Sequence, residues 1–439
     1  MIVVIGGGPA GRMASMRLAA AGREVTLVDH RRSGLGGQCL HHGCMVINAH
    51  NDVATSISRM QELASLGVID QVPKVSYTAL SSRMQEIQAL IANILDTETK
   101  NAGVKVLCGS ASVDGNQVFI DEKEIKAEAV IIATGSVPSV PPIPGTDISG
   151  VYTPHTITTM NYLPDHITII GSGVIAAEYA YALNELGAQV VMVARSVLLR
   201  KMPEEEREEI KKDLEHVIIM EGTEVTGILG EKSVTGIRIV RDGREEVIST
   251  RCVLLATGLI PNTSMISGIP LDNTGAIAVD ESMQTGVSGI YAAGDVTGPP
   301  YLTPVARRQG IIAADAILGR DIGTIPPAIP QVIRLRHEHG FVSVPGERSR
   351  AVTIPTPAGP GTFWSVPSRK TGKALMEIDE KNQICRIYEA SFGAGAVAAY
   401  FALLMNEKVT LKDLSDCIEV HPSADGLIWI ARYLADQME

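Results

Sequence analysis

The sequence predicts an α/β fold, because one pattern of strand, glycine-rich turn, helix and strand occurs twice along its 439 residues. The first copy runs from Ile2 to Asp29 and the second from Ile167 to Arg195. A close pair of cysteines, Cys39 and Cys44, follows the first copy. Turns of this kind hold the pyrophosphate of a dinucleotide at the start of the helix. We therefore expect two Rossmann-like dinucleotide-binding domains, followed by a C-terminal α+β domain.

The composition is typical of a folded enzyme and argues against a nucleic-acid-binding or membrane protein. The chain is 45% hydrophobic, which is ordinary for a folded enzyme, and its length predicts two to four domains. A formal net charge of −11 argues against nucleic acid or an anionic membrane as a partner. No apolar run is long enough to cross a bilayer, and the chain opens with a strand at Ile2–Ile5 rather than with a signal peptide. We expect a cytoplasmic protein.

The first glycine-rich turn has the spacing Gly6-x-Gly8-x-x-Gly11. The first glycine permits the tight turn, the second lets the pyrophosphate approach the backbone, and the third lets the helix pack on the strand. Asp29 ends the second strand, where a carboxylate accepts a hydrogen bond from a ribose; the alternative is a solvated Asp at a strand end. The predicted cofactor-binding residues here are Gly6, Gly8, Pro9, Ala10, Gly11 and Asp29.

The second turn, Gly171-x-Gly173-x-x-Ala176, predicts a nicotinamide nucleotide site at Gly171, Gly173, Val174 and Ile175. The position that matches Asp29 is Ala194, and Arg195 and Arg200 follow it. An acid there would bind the ribose 2′-hydroxyl and repel a 2′-phosphate, so its absence beside two arginines favours NADPH over NADH. The alternative is that these are two ordinary surface arginines.

Other elements are predicted between and after the two turns. Tyr77–Asn101 has the pattern of a long amphipathic helix, and 325–330 is typical of a proline-rich linker. Three strands end in polar or glycine residues at Ala133-Thr134-Gly135, at Gly258 and at Gly294-Asp295. Two further helices are predicted near Ala394–Met405 and from about Ser423.

Two cysteines separated by four residues are more often catalytic than structural in a reducing compartment. Cys39 and Cys44 are bracketed by glycines and follow the first nucleotide turn, which indicates a thiol pair held against a bound flavin. The other cysteines are scattered, and we expect them to be buried and to behave as apolar residues: Cys108, Cys252, Cys385 and Cys417.

Taken together, these motifs and a C-terminal His421-Pro422 resemble the class I pyridine nucleotide–disulfide oxidoreductases, such as dihydrolipoamide dehydrogenase, glutathione reductase and mercuric reductase. The resemblance spans nearly the whole chain and is poor from about 331 to 359. It implies FAD in the first domain, NAD(P)H in the second and a homodimer formed by the C-terminal domain. The further cofactor contacts that it implies are Gly37, Gln38, Ala133, Thr134, Gly135, Gly258, Gly294, Asp295, Thr303 and Pro304.

The same resemblance implies the catalytic roles. Cys44 would be the charge-transfer thiolate against the flavin and Cys39 the interchange thiol that attacks the substrate. His421 of the partner subunit would be the acid/base for Cys39, so that the active site is shared between subunits. The implied domain limits are 1–148 with 270–325 for FAD, 149–269 for NAD(P)H and 326–439 for the dimer interface.

The chain departs from the family pattern at two places. Glu178 matches a glutamate that pairs with a lysine in relatives, but the lysine position is Asn48. The glutamate that orients the C-terminal histidine is replaced by Gly426, with Asp425 before it as a possible substitute. An imidazole without an orienting acid loses its fixed tautomer. Glu178 and Asp425 are nevertheless predicted to take part in catalysis, the alternative for Glu178 being a helix-surface acid.

Two histidine pairs are open to more than one interpretation. His41 and His42 lie between the cysteines; they are either an ordinary helix-start pair or an aid to Cys39. His337 and His339 are expected on an ordinary solvated face. No metal site is predicted, because the Cys/His spacing suits zinc poorly.

The favoured function is an NAD(P)H-dependent, FAD-containing disulfide oxidoreductase, similar to dihydrolipoamide dehydrogenase, that acts on a disulfide or dithiol substrate. One alternative is a mercuric-type metal-ion reductase, against which stands the absence of cysteines in 434–439. The other is a flavin-binding redox sensor or assembly subunit with degenerate catalysis.

Overall fold

The computed structural model describes residues 1–31, 33–345, 350–353, 363–418 and 426–436. The chain divides into two compact units, each built from separated stretches of sequence. The first unit comprises Met1–Ala49, Ser76–Tyr162 and Leu254–Ile325, and the second comprises His50–Val75, Leu163–Val253 and Pro326–Glu439.

The predicted helix Tyr77–Asn101 is confirmed at both ends, and the helix predicted near Ala394–Met405 runs from Ala394 to Asn406. The helices of the described residues are α1 (Pro9–Ala20), α2 (Gly37–His41), α3 (Cys44–Ser65), α4 (Tyr77–Asn101), α5 (Val174–Glu185), α6 (Glu204–Asp213), α7 (Thr303–Ile317), α8 (Ala394–Asn406), α9 (Leu411–Ser415) and α10 (Leu427–Asp436). Short 3-10 helices occur at Ile157–Thr159, Asp295–Thr297 and Phe363–Ser365. The last predicted helix begins at Leu427; Ser423 is outside the described residues.

The strands of the described residues are mostly short. They are β1 (Ile2–Ile5), β2 (Val25–Asp29), β3 (Lys105–Cys108), β4 (Ala111–Asp114), β5 (Gln117–Ile120), β6 (Lys123–Ile125), β7 (Ala129–Ile132), β8 (Ser136–Pro138), β9 (Val151–Tyr152), β10 (His166–Ile170), β11 (Gln189–Val193), β12 (Ile218–Met220), β13 (Glu224–Leu229), β14 (Gly236–Arg241), β15 (Arg244–Ser249), β16 (Val253–Leu255), β17 (Leu259–Pro261), β18 (Ile266–Ser267), β19 (Ile290–Ala292), β20 (Gln331–Arg334), β21 (Glu338–Ser343), β22 (Arg350–Thr353), β23 (Lys373–Ile378) and β24 (Ile384–Ser391).

The first unit is organised around a parallel sheet with the strand order β19-β7-β1-β2-β3. Its central strands β1, β2 and β7 are buried along their whole length, as expected for a parallel sheet covered on both faces. Because these strands run in the same direction, their carboxyl ends meet at one edge of the sheet. That edge brings together Gly6, Asp29, Ala133 and Ala293, which come from four separate parts of the chain.

Helix α1 packs unusually closely against α7 in the first unit. A Cβ atom at Gly310 of α7 would overlap the carbonyl oxygen of Ala10 in α1, so a side chain cannot be accommodated there without moving one helix. The Arg17 guanidinium also binds the Asp315 carboxylate, with Nε 2.6 Å from Oδ1. These contacts hold the middle and the end of α7 against α1, which begins directly after the first glycine-rich turn.

The second unit repeats the nucleotide-binding pattern and adds an antiparallel sheet. Strands β10, β11 and β12 are parallel neighbours, and α5 connects β10 to β11. Strands β13, β14 and β15 form an antiparallel meander. A five-stranded antiparallel sheet with the order β20-β21-β24-β23-β22 packs its apolar face against α8 and α10. The predicted α/β class and the C-terminal α+β part are therefore confirmed.

The expectation that His337 and His339 lie on a solvated face is wrong. Both are buried, and both hold the carboxylate of Asp213 at the end of α6. His337 Nδ1 lies 3.0 Å from Asp213 Oδ1, and His339 Nε2 lies 2.9 Å from Oδ2. Burial opposes ionisation of Asp213, but the two histidines outweigh it and hold the pKa of this carboxyl well below its usual range. Strand alternation alone could not reveal this, because the partner acid is distant in sequence.

None of the helices in the described part of the chain combines the length and the hydrophobicity needed to cross a bilayer.

Candidate active site

The first glycine-rich turn leaves the start of α1 open to a ligand. Gly8 is the N-cap of α1; it supplies no side-chain cap, and the first turn of the helix holds no acid. The N–H groups at a helix start carry partial positive charge and favour a phosphate. Gly6 has φ +105° and Gly11 packs on the Gly6 carbonyl, so both glycines are required by the backbone geometry. The residues present therefore fit the pyrophosphate of FAD.

Asp29 and Gly37 complete the walls of this turn. Asp29 Oδ2 accepts a hydrogen bond of 2.6 Å from the Gly7 N–H, which ties the end of β2 to the turn after β1. A Cβ atom on Gly37 would come within 2.6 Å of the Gly8 Cα atom, so the segment before the cysteines lies directly over the glycine-rich turn. The turn and the thiol segment are thus one structure, as their order in the sequence predicts.

A chain of polar side chains links other predicted cofactor residues. Ser136 Oγ lies 2.7 Å from Asp295 Oδ2 and 3.1 Å from Gln38 Oε1. Burial raises the pKa of Asp295, and the Ser136 hydroxyl partly opposes that rise. Sequence reasoning missed Ser136, although it follows the Ala133-Thr134-Gly135 motif directly.

Asn262 is a second residue that sequence reasoning missed. Thr134 Oγ1 donates a 2.7 Å hydrogen bond to the Asn262 carbonyl, and the Asn262 N–H donates to the Gly135 carbonyl at 2.9 Å. These bonds hold the turn after β7. Gln309 does the same for the turn after β19, because its Oε1 accepts a 2.8 Å hydrogen bond from the Gly294 N–H.

The second glycine-rich turn is equally open. Gly173 is the uncapped N-cap of α5, and a Cβ built on it meets no atom within 4 Å, so the backbone there is accessible to a nucleotide. Val174 and Ile175 begin α5, and Gly171 has φ +145°. The loop after β11 turns back to this site, since the Leu199 N–H donates to the Ser172 carbonyl at 2.8 Å.

Arg195 and Arg200 lie on this loop. Both side chains are exposed, and neither forms an ion pair within the part of the chain that the structure describes. Ala194, which matches Asp29, is buried. The edge of the second nucleotide site therefore presents two cations and no acid at the matching position.

The cysteine pair joins α2 to the start of α3. Cys39 is in α2, and Cys44 is the first residue of α3. Cys44 Sγ lies 3.8 Å from the hydroxyl of Thr303, the first residue of α7, and Pro304 follows in the same turn. Thr303, predicted as a cofactor contact, thus lies beside the thiol pair.

The two thiols share one negative charge. A hydrogen bond from Cys44 lowers the pKa of Cys39 to about 6, helped by Thr303 and the Arg307 cation and opposed by burial. The same hydrogen bond and burial raise the pKa of Cys44. A thiolate is the nucleophilic form of cysteine, so this pair is prepared for thiol–disulfide exchange near neutral pH. Sequence reasoning missed Arg307, which lies one helical turn after Thr303.

The two histidines between the cysteines face other residues. His41 Nε2 lies 3.2 Å from the Gly34 carbonyl oxygen, and the ring of His42 lies 4.8 Å from that of His155 between centroids. Burial, His155 and Arg31 lower the pKa of His42 to about 4. Neither histidine is among the groups that shift the pKa of Cys39 most. The geometry favours the packing interpretation over assistance to Cys39.

Glu178 is a buried acid rather than a helix-surface one. Its Oε1 accepts a 2.9 Å hydrogen bond from the Arg334 N–H, and burial raises its pKa to about 7. A carboxyl with such a pKa can hold or release a proton near neutrality.

The remaining predicted residues divide into two groups. Gly258 ends a loop at φ +113° with open space around its Cα atom, in keeping with a backbone contact to a ligand. His421 and Asp425 lie outside the described residues. Gly426 is described, and its N–H donates to Glu389 Oε2 at 3.4 Å. No group of three or more His, Cys, Asp or Glu in the described ranges is arranged to hold a metal ion.

We predict that Cys39 in the reduced protein reacts with iodoacetamide with a midpoint near pH 6, because the thiolate is the reactive form and its fraction rises as pH passes its pKa. Arg307→Gln should move this midpoint upward, since a neighbouring cation favours the thiolate. Mass spectrometry of the alkylated peptide across pH measures both. Arg308→Gln is the matched control, because the Arg308 guanidinium binds the Thr324 carbonyl instead. An identical shift in both variants would contradict the role of Arg307.

We predict that Glu178 makes the protein less stable as pH rises from about 4.5 to 7. Its pKa is higher in the folded than in the unfolded state, so the folded state keeps a proton that the unfolded state has lost. The loss reaches up to about 3 kcal/mol and should vanish in Glu178→Gln. Urea unfolding at pH 5 and pH 8 measures it, with Glu246→Gln on an exposed strand face as the control. Parallel pH profiles for wild type and Glu178→Gln would contradict the assignment.

Comparison with known proteins agrees with this geometry. Residues 1–310 match the model of the family described as pyridine nucleotide-disulphide oxidoreductase. The chain is 30% identical to mercuric reductase of Shigella flexneri, over 94% of this chain and 77% of that protein. It is also 30% identical to glutathione reductase of Burkholderia cepacia, over 96% of each. Identity to dihydrolipoyl dehydrogenase of Bacillus subtilis is 27%, over 96% of this chain and 95% of that one.

Solved structures have the same fold. LpdA of Mycobacterium tuberculosis superposes with a TM-score of 0.85 at 25% identity, over 99% of both chains. The flavoprotein disulfide reductase RclA of Escherichia coli gives 0.84 at 22% identity, over 99% of this chain and 98% of that one. The match over residues 1–310, which include both glycine-rich turns and the cysteine pair, establishes that the chain belongs to the pyridine nucleotide–disulphide oxidoreductase family and is an oxidoreductase dependent on FAD and NAD(P)H.

Proposed function

We propose that this protein uses NADPH to reduce a disulfide substrate through Cys39 and Cys44. The observation that carries the proposal is the hydrogen bond between the two thiols, which lowers the pKa of Cys39 to about 6. A thiol with that pKa is largely ionised at neutral pH and can attack a disulfide without prior removal of its proton.

The overall reaction converts NADPH, a proton and R–S–S–R into NADP⁺ and two R–SH. When bound, FAD would take a hydride from the nicotinamide and deliver two electrons to the Cys39–Cys44 disulfide. The Cys39 thiolate then attacks one substrate sulfur and releases the first thiol, leaving a mixed disulfide on Cys39. Cys44 attacks the Cys39 sulfur, which releases the second thiol and restores the protein disulfide.

The chain's own residues support each thiol step. The hydroxyl of Thr303 lies beside Cys44, and its hydrogen bonds favour the ionised form of both cysteines. Arg307 stabilises the Cys39 thiolate through its charge. The start of α3 adds the positive end of a 22-residue helix at Cys44.

The leaving thiol needs a proton, which we assign to His421 of the partner subunit. This assignment makes the working protein a homodimer with a shared active site. The proposed domains are 1–148 with 270–325 for FAD, 149–269 for NAD(P)H and 326–439 for the dimer interface. The same proposal includes a cytoplasmic location, because a catalytic thiol pair works where thiols stay reduced.

NADPH is the proposed reductant, since Arg195 and Arg200 are exposed at the second nucleotide turn and Ala194 replaces the acid that NADH-binding sites use. A 2′-phosphate carries charge that these guanidinium groups can bind. Glu178, with a pKa of about 7, is the proposed proton-holding carboxyl of this unit.

We predict that Cys39→Ser abolishes NADPH-dependent disulfide reduction, with a loss of roughly 1,000-fold or more, because a serine hydroxyl cannot form the mixed disulfide. Anaerobic reduction of the flavin by NADPH should remain, which separates thiol exchange from hydride transfer. Turnover with a small disulfide panel and stopped-flow absorbance measure the two steps. Cys108→Ser is the control and should behave as wild type; the expectation that this thiol is buried is wrong, because Cys108 is exposed, whereas Cys252 and Cys385 are buried as expected. Disulfide turnover that survives in Cys39→Ser would refute the proposal.

We predict that Arg195→Glu raises the Michaelis constant for NADPH by about 10- to 100-fold and changes that for NADH much less, because only NADPH has the 2′-phosphate. Steady-state kinetics with both nucleotides give the two constants. Arg241→Glu, in the β14–β15 hairpin, makes the same charge change away from the turn. Equal effects on both nucleotides would mean that Arg195 does not contact the 2′-phosphate.

A further inference from the structure

The buried carboxyl of Glu178 is held by the main chain of β20. Glu178 lies on α5, which packs against β20, and its side chain is buried. Its Oε1 accepts the 2.9 Å hydrogen bond from the N–H of Arg334, the last residue of β20. A buried carboxylate depends on such a donor, because the donor replaces part of the hydration that burial removes. The position of the Arg334 main chain therefore affects the balance between the charged and the neutral form of Glu178.

Helix α3 holds the same stretch of main chain through two side chains. Asn51 Nδ2 donates a 2.8 Å hydrogen bond to the Arg334 carbonyl, and Thr55 Oγ1 donates one of 3.3 Å to the next carbonyl, that of Leu335. Asn51 and Thr55 are four residues apart and so lie on one face of the helix. The segment that donates to Glu178 is thus tied to α3 at two successive carbonyl groups.

The Arg334 side chain is fixed by two acids. Its Nη2 and Nε atoms lie 2.8 Å and 3.1 Å from Glu338 Oε1, on β21. Its Nη1 atom lies 3.7 Å from Asp52 Oδ1, on α3. Arg334 is therefore ordered both in its main chain and in its guanidinium group.

Arg334 acts on Glu178 through its N–H and through its charge. Burial raises the pKa of Glu178 to about 7, and the hydrogen bond and the charge of Arg334 oppose that rise. Next to Glu178 on α5, Tyr179 lies against His50 of α3, with ring centroids 6.1 Å apart. Neither of these two side chains is among the groups that shift the pKa of Glu178 most.

The stability of the fold does not explain the choice of asparagine at position 51. Asn51 is 2% exposed, and its Oδ1 has no hydrogen-bond partner among the described residues. Burying an amide oxygen without a partner is costly, and an apolar side chain of the same shape would avoid that cost. The contribution of Asn51 is therefore the hydrogen bond that its Nδ2 donates.

We propose that Asn51 is a positioning residue that sets the protonation of Glu178, because it keeps the Arg334 N–H on the Glu178 carboxyl. This inference rests on the proposed function, in which Glu178 is the proton-holding carboxyl of the second unit. It adds to that function a residue that touches neither the thiols nor the predicted nucleotide contacts.

Infrared spectroscopy of the FAD-loaded protein tests the proposal. The carbonyl band of the protonated Glu178 carboxyl is identified by its loss in Glu178→Gln and is titrated with pH; the wild-type midpoint is expected near pH 7. Asn51→Leu keeps the branched shape of the side chain and removes the donor. The Arg334 N–H is then held less firmly, and the midpoint should rise by about 1 pH unit. An unchanged midpoint in a folded Asn51→Leu protein would overturn the proposal.

Asn184→Leu is the matched control, because Asn184 Nδ2 donates to the Ala188 carbonyl at 3.2 Å in the same unit. Its midpoint should stay at the wild-type value, and a shift equal to that of Asn51→Leu would also overturn the proposal. Thr55→Val removes the longer of the two bonds from α3 and is the second test if Asn51→Leu does not fold. It should raise the midpoint by a smaller amount, and no rise would contradict the role of this contact between α3 and β20.

The titration requires no disulfide substrate, so its outcome is separate from that of the proposed function. The pH profile of flavin reduction by NADPH, measured on the same variants, tests the function. A carboxyl midpoint that rises in Asn51→Leu, with a pH profile that stays as in wild type, would support the role of Asn51 and refute the part of Glu178 in the reaction. A rise in both would support both.

Discussion

The candidate active site depends on one property of the parallel sheet, namely that its backbone hydrogen bonds continue past the ends of the strands. The Gly6 N–H donates to the Val28 carbonyl, Ala133 to Ile5 and Ala293 to Ile132. These bonds hold three turns at fixed spacing along one edge of the sheet. The cofactor contacts on these turns are positioned by that backbone, and the side chains of Asp29, Thr134 and Gln309 add hydrogen bonds that hold them.

The thiol pair beside this edge of the sheet becomes reactive because neighbouring groups lower the pKa of Cys39. The pKa of Cys39 is lowered by a second thiol, a hydroxyl, one exposed cation and the backbone at Met45. A shared charge of this kind is sensitive to position, because a hydrogen bond between sulfur atoms weakens quickly with distance. The same logic explains why Cys39 and Cys44 are fixed by helices α2 and α3 rather than by a loop.

Much of this arrangement could be predicted from the sequence, and the reasons differ from residue to residue. Glycine spacing identified both nucleotide turns, because a backbone that must approach a phosphate restricts residue type. The helix Tyr77–Asn101 followed from apolar periodicity. Ser136, Asn262 and Arg307 were missed because their roles come from partners distant in sequence. His337 and His339 were misplaced for the same reason, since only the fold brings Asp213 to them. The domain limits and the roles of His421 and Asp425 stay predictions.

The close packing of α1 on α7 affects the thiol pair as well as the stability of the fold. A mutational screen would assign a substitution in this packing to stability alone. Gly310 has no room for a side chain against the Ala10 carbonyl, yet it lies two turns along the helix from Thr303. A larger residue there would push the start of α7 away, and Thr303 and Arg307 would move with it. The pKa of Cys39 would then rise, although every residue that contacts the thiols would still be present. Selection on thiol chemistry therefore extends into the hydrophobic interior, where a glycine between two helices acts as part of the redox centre.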